Sequence, residues 1–197
     1  MKLKKLTSTR RGRVALAAVP AAAAVTFLLA GVANGAVPVS FAVSGVPFQV
    51  GASTLVGHGF SQYSGVAVDA SNKQNPVAIS AIQTATLHNL CQSVSIPGAP
   101  VGLKINAGDD PKHPVTADHL LIGMTDLKGD ATFTNIRIGI DASKVQTDAK
   151  GSSGDFAQDA DKVVIKGLQQ TALSTQAGTF KLNGLHLRLT SPKDTCF

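Results

Sequence analysis

Glutamate and tryptophan are absent from the chain, tyrosine occurs once, and cysteine occurs twice. The missing glutamate removes a common general acid or base and a common helix former, so all twelve acidic residues are aspartates. With eight Phe, one Tyr and no Trp, the chain lacks the stacking platforms on which sugars and single-stranded nucleic acids are bound. It also lacks a basic surface. The formal charge of +6 comes entirely from Lys2, Lys4, Lys5, Arg10, Arg11 and Arg13, and the twelve Lys and Arg that follow are matched by twelve Asp. A chain that is neutral beyond residue 13 carries no electrostatic footprint for nucleic acid. Neither G-x-G-x-x-G after a strand nor G-x4-G-K-S/T occurs, so no phosphate cradle is expected.

The six charges precede Val14–Ala33, an uncharged run rich in Ala, Val and Leu. This order is that of an export signal covering residues 1–36, with small residues near Ala33, Gly35 and Ala36 offering cleavage sites. The run approaches the roughly 20 residues that span a bilayer, so an uncleaved anchor is the alternative. Pro20 and the alanines favour cleavage. Arg10-Arg11 fits a twin-arginine signal and equally an ordinary basic n-region. Export places residues 37–197, expected as a single β-rich domain, outside the cell or on the outer face of its envelope. In that compartment Cys91 and Cys196 are expected to form a disulfide.

Beyond residue 36 the pattern is all-β, with no amphipathic helix of ordinary length. Ala117–Ile140 reads as strand, turn, strand, with turn glycines at Gly123 and Gly129 and with Ile136, Ile138 and Ile140 on one face. Its alternation slips at Asn135. Phe41 and Val43 likewise differ in parity from Val46, Phe48 and Val50, with Ser44-Gly45 at the switch. Phe180 and Leu182 differ from Leu185, Leu187 and Leu189, with Asn183-Gly184 between them. Such slips mark bulges or tight turns, and Asn183-Gly184 suits a bulge as well as a hairpin. His186, alternating with leucines, is expected to face solvent.

Val50–Gly57 matches Ile122–Gly129 in spacing, and Ile79–Leu87 matches Ile165–Leu173. Two diverged halves, 37–106 and 107–192, are therefore expected. Residues 141–161, rich in Gly, Ser, Ala and Asp, are expected to form a mobile loop with a short helical turn near Phe156–Lys162. An antiparallel sheet bent by such bulges can remain open, with a concave apolar face, or close into a sandwich or barrel.

The nucleophile elbow G-x-S-x-G and the Ser-x-x-Lys pair are both missing. His58, between Gly57 and Gly59, has the form of a His-Gly oxyanion segment and equally that of a turn. The catalytic candidates are His58, Ser61, Asp118 and His119, which would have to meet in space as an unfamiliar triad. Asp109, Asp110, His113, Asp118 and His119 form the densest polar cluster. Their spacing, broken by Pro114, matches no defined metal motif, and neither metal nor cofactor is expected.

The segments SFAVSGVPFQV, LVGHGFSQYSGV, ATLHNLCQSV, GDATFTNIRIGIDAS, AGTFKLNGLHLRL and the terminal CF resemble a family of small secreted actinobacterial proteins, particularly of streptomycetes, whose function is not established. The likeness covers nearly all of residues 37–197. Some members carry the label cholesterol esterase, and the resemblance implies a place at the cell envelope beside small membrane proteins. The expected function is binding of a lipid-like or sterol-like ligand. The alternatives are an atypical hydrolase of sterol or acyl esters, and a structural surface protein that pairs with a membrane partner.

Overall fold

The computed structural model describes residues 41–197, with side chains from Ser44 onward. The expected signal segment, residues 1–36, therefore lies outside the described residues. Ten strands follow in order: β1 (Phe41–Val43), β2 (Phe48–Asp69), β3 (Gln74–His88), β4 (Leu90–Ser95), β5 (Gly102–Ala107), β6 (Val115–Thr134), β7 (Arg137–Asp141), β8 (Phe156–Gln176), β9 (Thr179–Lys181) and β10 (His186–Thr190). A single 3₁₀ turn, Ala142–Lys144, is the one helical element among the described residues.

Four long strands close into a barrel. β2 pairs antiparallel with β3, β3 with β6, β6 with β8, and β8 again with β2. Closure removes the free edges that long uncharged strands such as β2 would otherwise expose. The segments of matched spacing lie on alternate staves, Val50–Gly57 on β2 and Ile122–Gly129 on β6, Ile79–Leu87 on β3 and Ile165–Leu173 on β8. Phe60 and Phe133, which follow the first pair, meet with ring centroids 5.4 Å apart.

The slipped alternation of the sequence is the mark of bending staves. Along β2 the buried positions run Val50 and Ala52, then Leu55 and Gly57, then Phe60. At Gly59, φ is +63°, and that residue drops out of the pairing with both neighbours while the register on either side is unchanged. His119, at φ +52°, does the same on β6. Each left-handed residue turns the next side chain to the other face without adding a residue. Gly57 sits where a Cβ would come within 2.8 Å of Ile82 Cγ2 and 3.0 Å of Val163 Cγ1, so its smallness lets two staves approach.

The barrel is filled by Leu55, Phe60, Ile82, Leu87, Leu90, Leu120, Ile122, Met124, Val163, Ile165 and Leu168, contributed mainly by its four staves. A gap of about 20 Å³ among these side chains is too small for an acyl chain. Of the two forms open to a bent apolar sheet, the closed one is found. A second cluster joins Tyr63, Ala67, Val77 and Ile79 to Ala142, Val145 and Ala157.

Several local expectations change. Gly123 and Gly129 are not turns but lie within β6, beside its register shifts against β8. Asn135, at φ +54°, breaks β6 from β7, yet both strands run along β8. Ile138 and Ile140 do not share a face, because Gly139 at φ +82° inserts a bulge between them. Ile138 stays in solvent, whereas Ile140 packs on the second cluster. Residues 156–161 begin the long strand β8 rather than a helical turn. The segment before them is pinned: Asp141 accepts hydrogen bonds from Ser143 and Gly154 N–H, and Val145 and Thr147 are buried. Asn183-Gly184 is neither a hairpin nor a bulge. It carries the chain from β9, which pairs with β6, to β10, which pairs with β5.

Candidate binding surface

Past Asn89, the chain of β3 continues as β4 along the first residues of β2, and β5 and β10 extend this part of the sheet away from the barrel. Because paired residues share a face, the extension has two distinct sides. On one side Arg188, Lys104 and Ser93 stand in register and are covered by the C-terminal residues. Lys104 Nζ lies 2.6 Å from Asp194 Oδ1, Cys196 N–H donates to Ser93 Oγ at 3.0 Å and to Gln49 Oε1 at 3.1 Å, and Cys91 is disulfide-bonded to Cys196. The expected disulfide is thus present, and it fastens the C-terminus over the polar side.

The other side is apolar and, among the described residues, has no such cover. Leu189, Leu103 and Val94 form one row, and Leu187, Ile105, Gln92 and Val50 form the next. Val50 belongs to the barrel core, so the row runs from the packed interior into solvent. Leu185, Leu187 and Leu189 are 53%, 54% and 67% exposed. His186 is exposed as the alternation requires. The leucines are exposed as well, since β10 is an edge strand beyond the barrel wall.

Gln92 also lines an open groove of about 450 Å³, whose apolar walls come from Phe48, Leu173, Ala177 and Phe180. Thr175 lines both this groove and the small gap beneath it. The hydroxyls of Ser174 and Thr175, on opposite faces of β8, are buried and have no hydrogen-bond partner among the described residues. Residues from β2, β4, β8 and β9 converge here, and only the closure of the barrel brings them together.

The four catalytic candidates are separated. His58 is exposed in the middle of β2 and pairs with Thr84, which pairs on its other side with Asp118 of β6. His58 and Asp118 therefore stand in one outward row with Thr84 between them. His119 Nε2 is 3.5 Å from Asp148 Oδ2, and both side chains are exposed. Ser61 is fully buried, and its hydroxyl is hydrogen-bonded to that of Thr147. Asp110 and His113 form a separate exposed pair at 2.6 Å, and His113, followed by the Lys112 N–H, holds the Asp110 carboxyl below its ordinary pKa. Among the described residues no group of three or more His, Cys or Asp is placed to hold a metal.

Next to Ser61, Asp159 is fully buried. Burial alone would raise its pKa, but Arg137, through hydrogen bonds of 2.9 and 2.6 Å, and the Gln146 N–H at 2.8 Å outweigh that effect and lower it. This cluster ties residues 145–150 to the barrel wall. It is a fastening in the interior of the protein, with its carboxylate fully engaged.

Residues 44–197 fit the family described as a family of unknown function (DUF6230). The chain belongs to that family. No curated protein and no solved structure matches it. The family assignment agrees with the resemblance seen in the sequence as far as unknown function goes, and it adds no site residue. The position of the surface rests on the geometry alone.

Proposed function

We propose that the protein is an exported envelope protein that binds a lipid-like or sterol-like molecule at the groove beside β4, without chemical conversion. The observation that carries this reading is the continuity of the apolar row from Val50 through Gln92 and Ile105 to Leu187, with the groove opening at Gln92. An apolar concavity of a few hundred cubic ångströms with a few polar groups is the form that small-molecule sites usually take. The disulfide is consistent with an extracellular location, and no described helix is long and apolar enough to cross a membrane. Delipidated protein titrated with fluorescent sterol and acyl probes is expected to show saturable binding. Its absence, together with no lipid recovered from protein purified from the medium, would overturn the proposal.

A second reading has its own observation. Among the described residues the outer edge of β10 is unpaired, so a strand from an envelope membrane protein can add there by backbone hydrogen bonding. Capture of such a partner that is lost when a proline is placed in β10 supports this reading, and retention of the partner by that variant contradicts it. The ester-hydrolase alternative requires a nucleophile at the groove, whereas Ser61 lies buried against Thr147. Turnover of nitrophenyl esters, blocked by a fluorophosphonate, would restore it.

A further inference from the structure

We infer that β10 is the interface of a symmetric dimer, in which its outer edge pairs antiparallel with β10 of a second copy about a twofold axis at Leu187. The inference does not depend on lipid binding. It gives to another copy of the chain the edge that the second reading leaves to a membrane partner.

Three observations carry it. The first is the contrast between two open edges. Beyond Met124, β6 pairs with β8 alone, so residues 126–134 also have a free edge among the described residues. That edge bears Asp126, Lys128 and Asp130 and is broken by register shifts, the devices that keep a strand from pairing further. β10 has no proline, no shift in its register with β5, and a single charged residue, Arg188. The guanidinium lies on the face away from the leucines, where Asn106 Oδ1 at 3.2 Å and Asp194 Oδ2 at 3.8 Å engage it.

The second observation is that the apolar pattern is its own complement. Leu185-His186-Leu187-Arg188-Leu189 alternates identically in either direction, so an antiparallel copy centred on Leu187 sets Leu187 against Leu187 and Leu185 against Leu189. All three leucine pairs then share one face. A register one residue off sets leucines against the polar face. Centring on Arg188 opposes the two guanidiniums, and centring on His186 leaves Leu189 against Asn183.

The third is charge. Asp109 and Lys193 are exposed, and neither forms an ion pair among the described residues. Asp109 lies at the start of β10, where its Oδ1 would be 3.1 Å from a Cβ on Gly184, and Lys193 lies just past the strand's end. The twofold axis exchanges these ends, so each Asp109 is brought toward Lys193 of the other copy. None of the groove residues is on β10, so pairing leaves both grooves open and joins the two leucine faces.

The test is the mass of the disulfide-bonded protein in solution, by sedimentation over about 1 to 100 μM, the range suited to an interface this small. A dimer is expected at the upper end. Leu187→Lys charges the centre of the edge and should leave only monomer, with the thermal midpoint held as a check on folding. Asp109→Lys and Lys193→Asp should each weaken the dimer about fivefold, and the two together should restore it. Both native cysteines are bonded to each other, so an added one reports the register. Leu187→Cys should crosslink to its own counterpart on mild oxidation, whereas Leu189→Cys, opposite Leu185, should not. Monomer throughout overturns the inference and leaves the lipid-binding reading standing. A dimer that survives Leu187→Lys, or that crosslinks through Leu189→Cys and not Leu187→Cys, overturns it as well. Monomer that captures an envelope membrane protein through β10 supports the second reading against this one.

Discussion

Tyr63 is the single tyrosine in a chain without tryptophan, and its hydroxyl is buried with no partner among the described residues. Burial alone pushes its pKa from 10 up to about 12. The neutral form is favoured in the folded state, so its contribution to stability is complete below pH 10 and is lost as pH rises through 12. An ultraviolet titration of the phenol should therefore show a midpoint near 12 in native protein and near 10 in denaturant. Tyr63→Phe removes an unmet hydroxyl and should stabilise the fold by about 1 kcal/mol, read by denaturant melts. Asp141 acts at the opposite end of the pH scale. Its hydrogen bonds from the Ser143 side chain first, then from Gly154 and Ser143 N–H, bring its pKa down to about 2. The stabilisation is present above the ordinary aspartate pKa and is lost as pH falls toward 2. Carbon-detected titration should place the Asp141 midpoint near 2, and protease sensitivity in residues 142–155 should rise over the same interval. A midpoint near 4 would mean that the carboxylate does not hold the segment. Little of this was visible in the sequence. Residues 141–161 have the composition of a loose loop, and it is the bonds of Asp141 to Gly154 and of Asp159 to Gln146, with the packing of Val145 and Thr147 on distant strands, that hold the segment down.

At the scale of elements, the alternation slips carried real information. Gly45, Asn135 and Gly184 all have positive φ, as switches of parity between Ser44-Gly45, at Asn135 and at Asn183-Gly184 suggested. What they could not tell was which strand comes next in space, and so Asn183-Gly184 reads as a hairpin turn or a bulge although its flanking strands pair elsewhere. The leucines of β10 show the same limit. Their alternation announces a half-buried strand, and only its place at the edge of the β4–β5–β10 extension leaves the apolar half uncovered by any described residue. Changing Leu187 and Leu189 to Asp should thus leave stability within about 0.5 kcal/mol per site, as for other exposed positions, while weakening probe binding. A large loss of stability would show that the face is part of the core. The disulfide closes the same extension from its polar side, joining cysteines 105 residues apart. Replacing both cysteines with serine should cost about 4 kcal/mol, the scale set by the closure entropy of so long a loop. Amide exchange should rise first in β4, β5 and β10. Uniform loosening of the barrel would contradict this placement.

For the whole molecule, closure decides where function can reside. Long strands without charges are aggregation-prone when open, and a ring of β2, β3, β6 and β8 leaves none of them as a free edge over its paired length. The same closure fills the interior and moves the available apolar surface outward, to the groove and the leucine face. The sequence made the all-β class and the cysteine pairing legible, since both follow from local pattern and compartment. The site was not legible, because Phe48, Gln92, Thr175 and Phe180 are scattered along the chain and meet only through long-range pairing. Photo-crosslinking tests the central claim most directly. A photoactivatable long-chain alcohol bound to the delipidated protein should label peptides containing Phe48, residues 173–180 and Leu187, and unlabelled alcohol should compete the labelling away. Labelling confined to other strands, or labelling that excess alcohol does not displace, would contradict it.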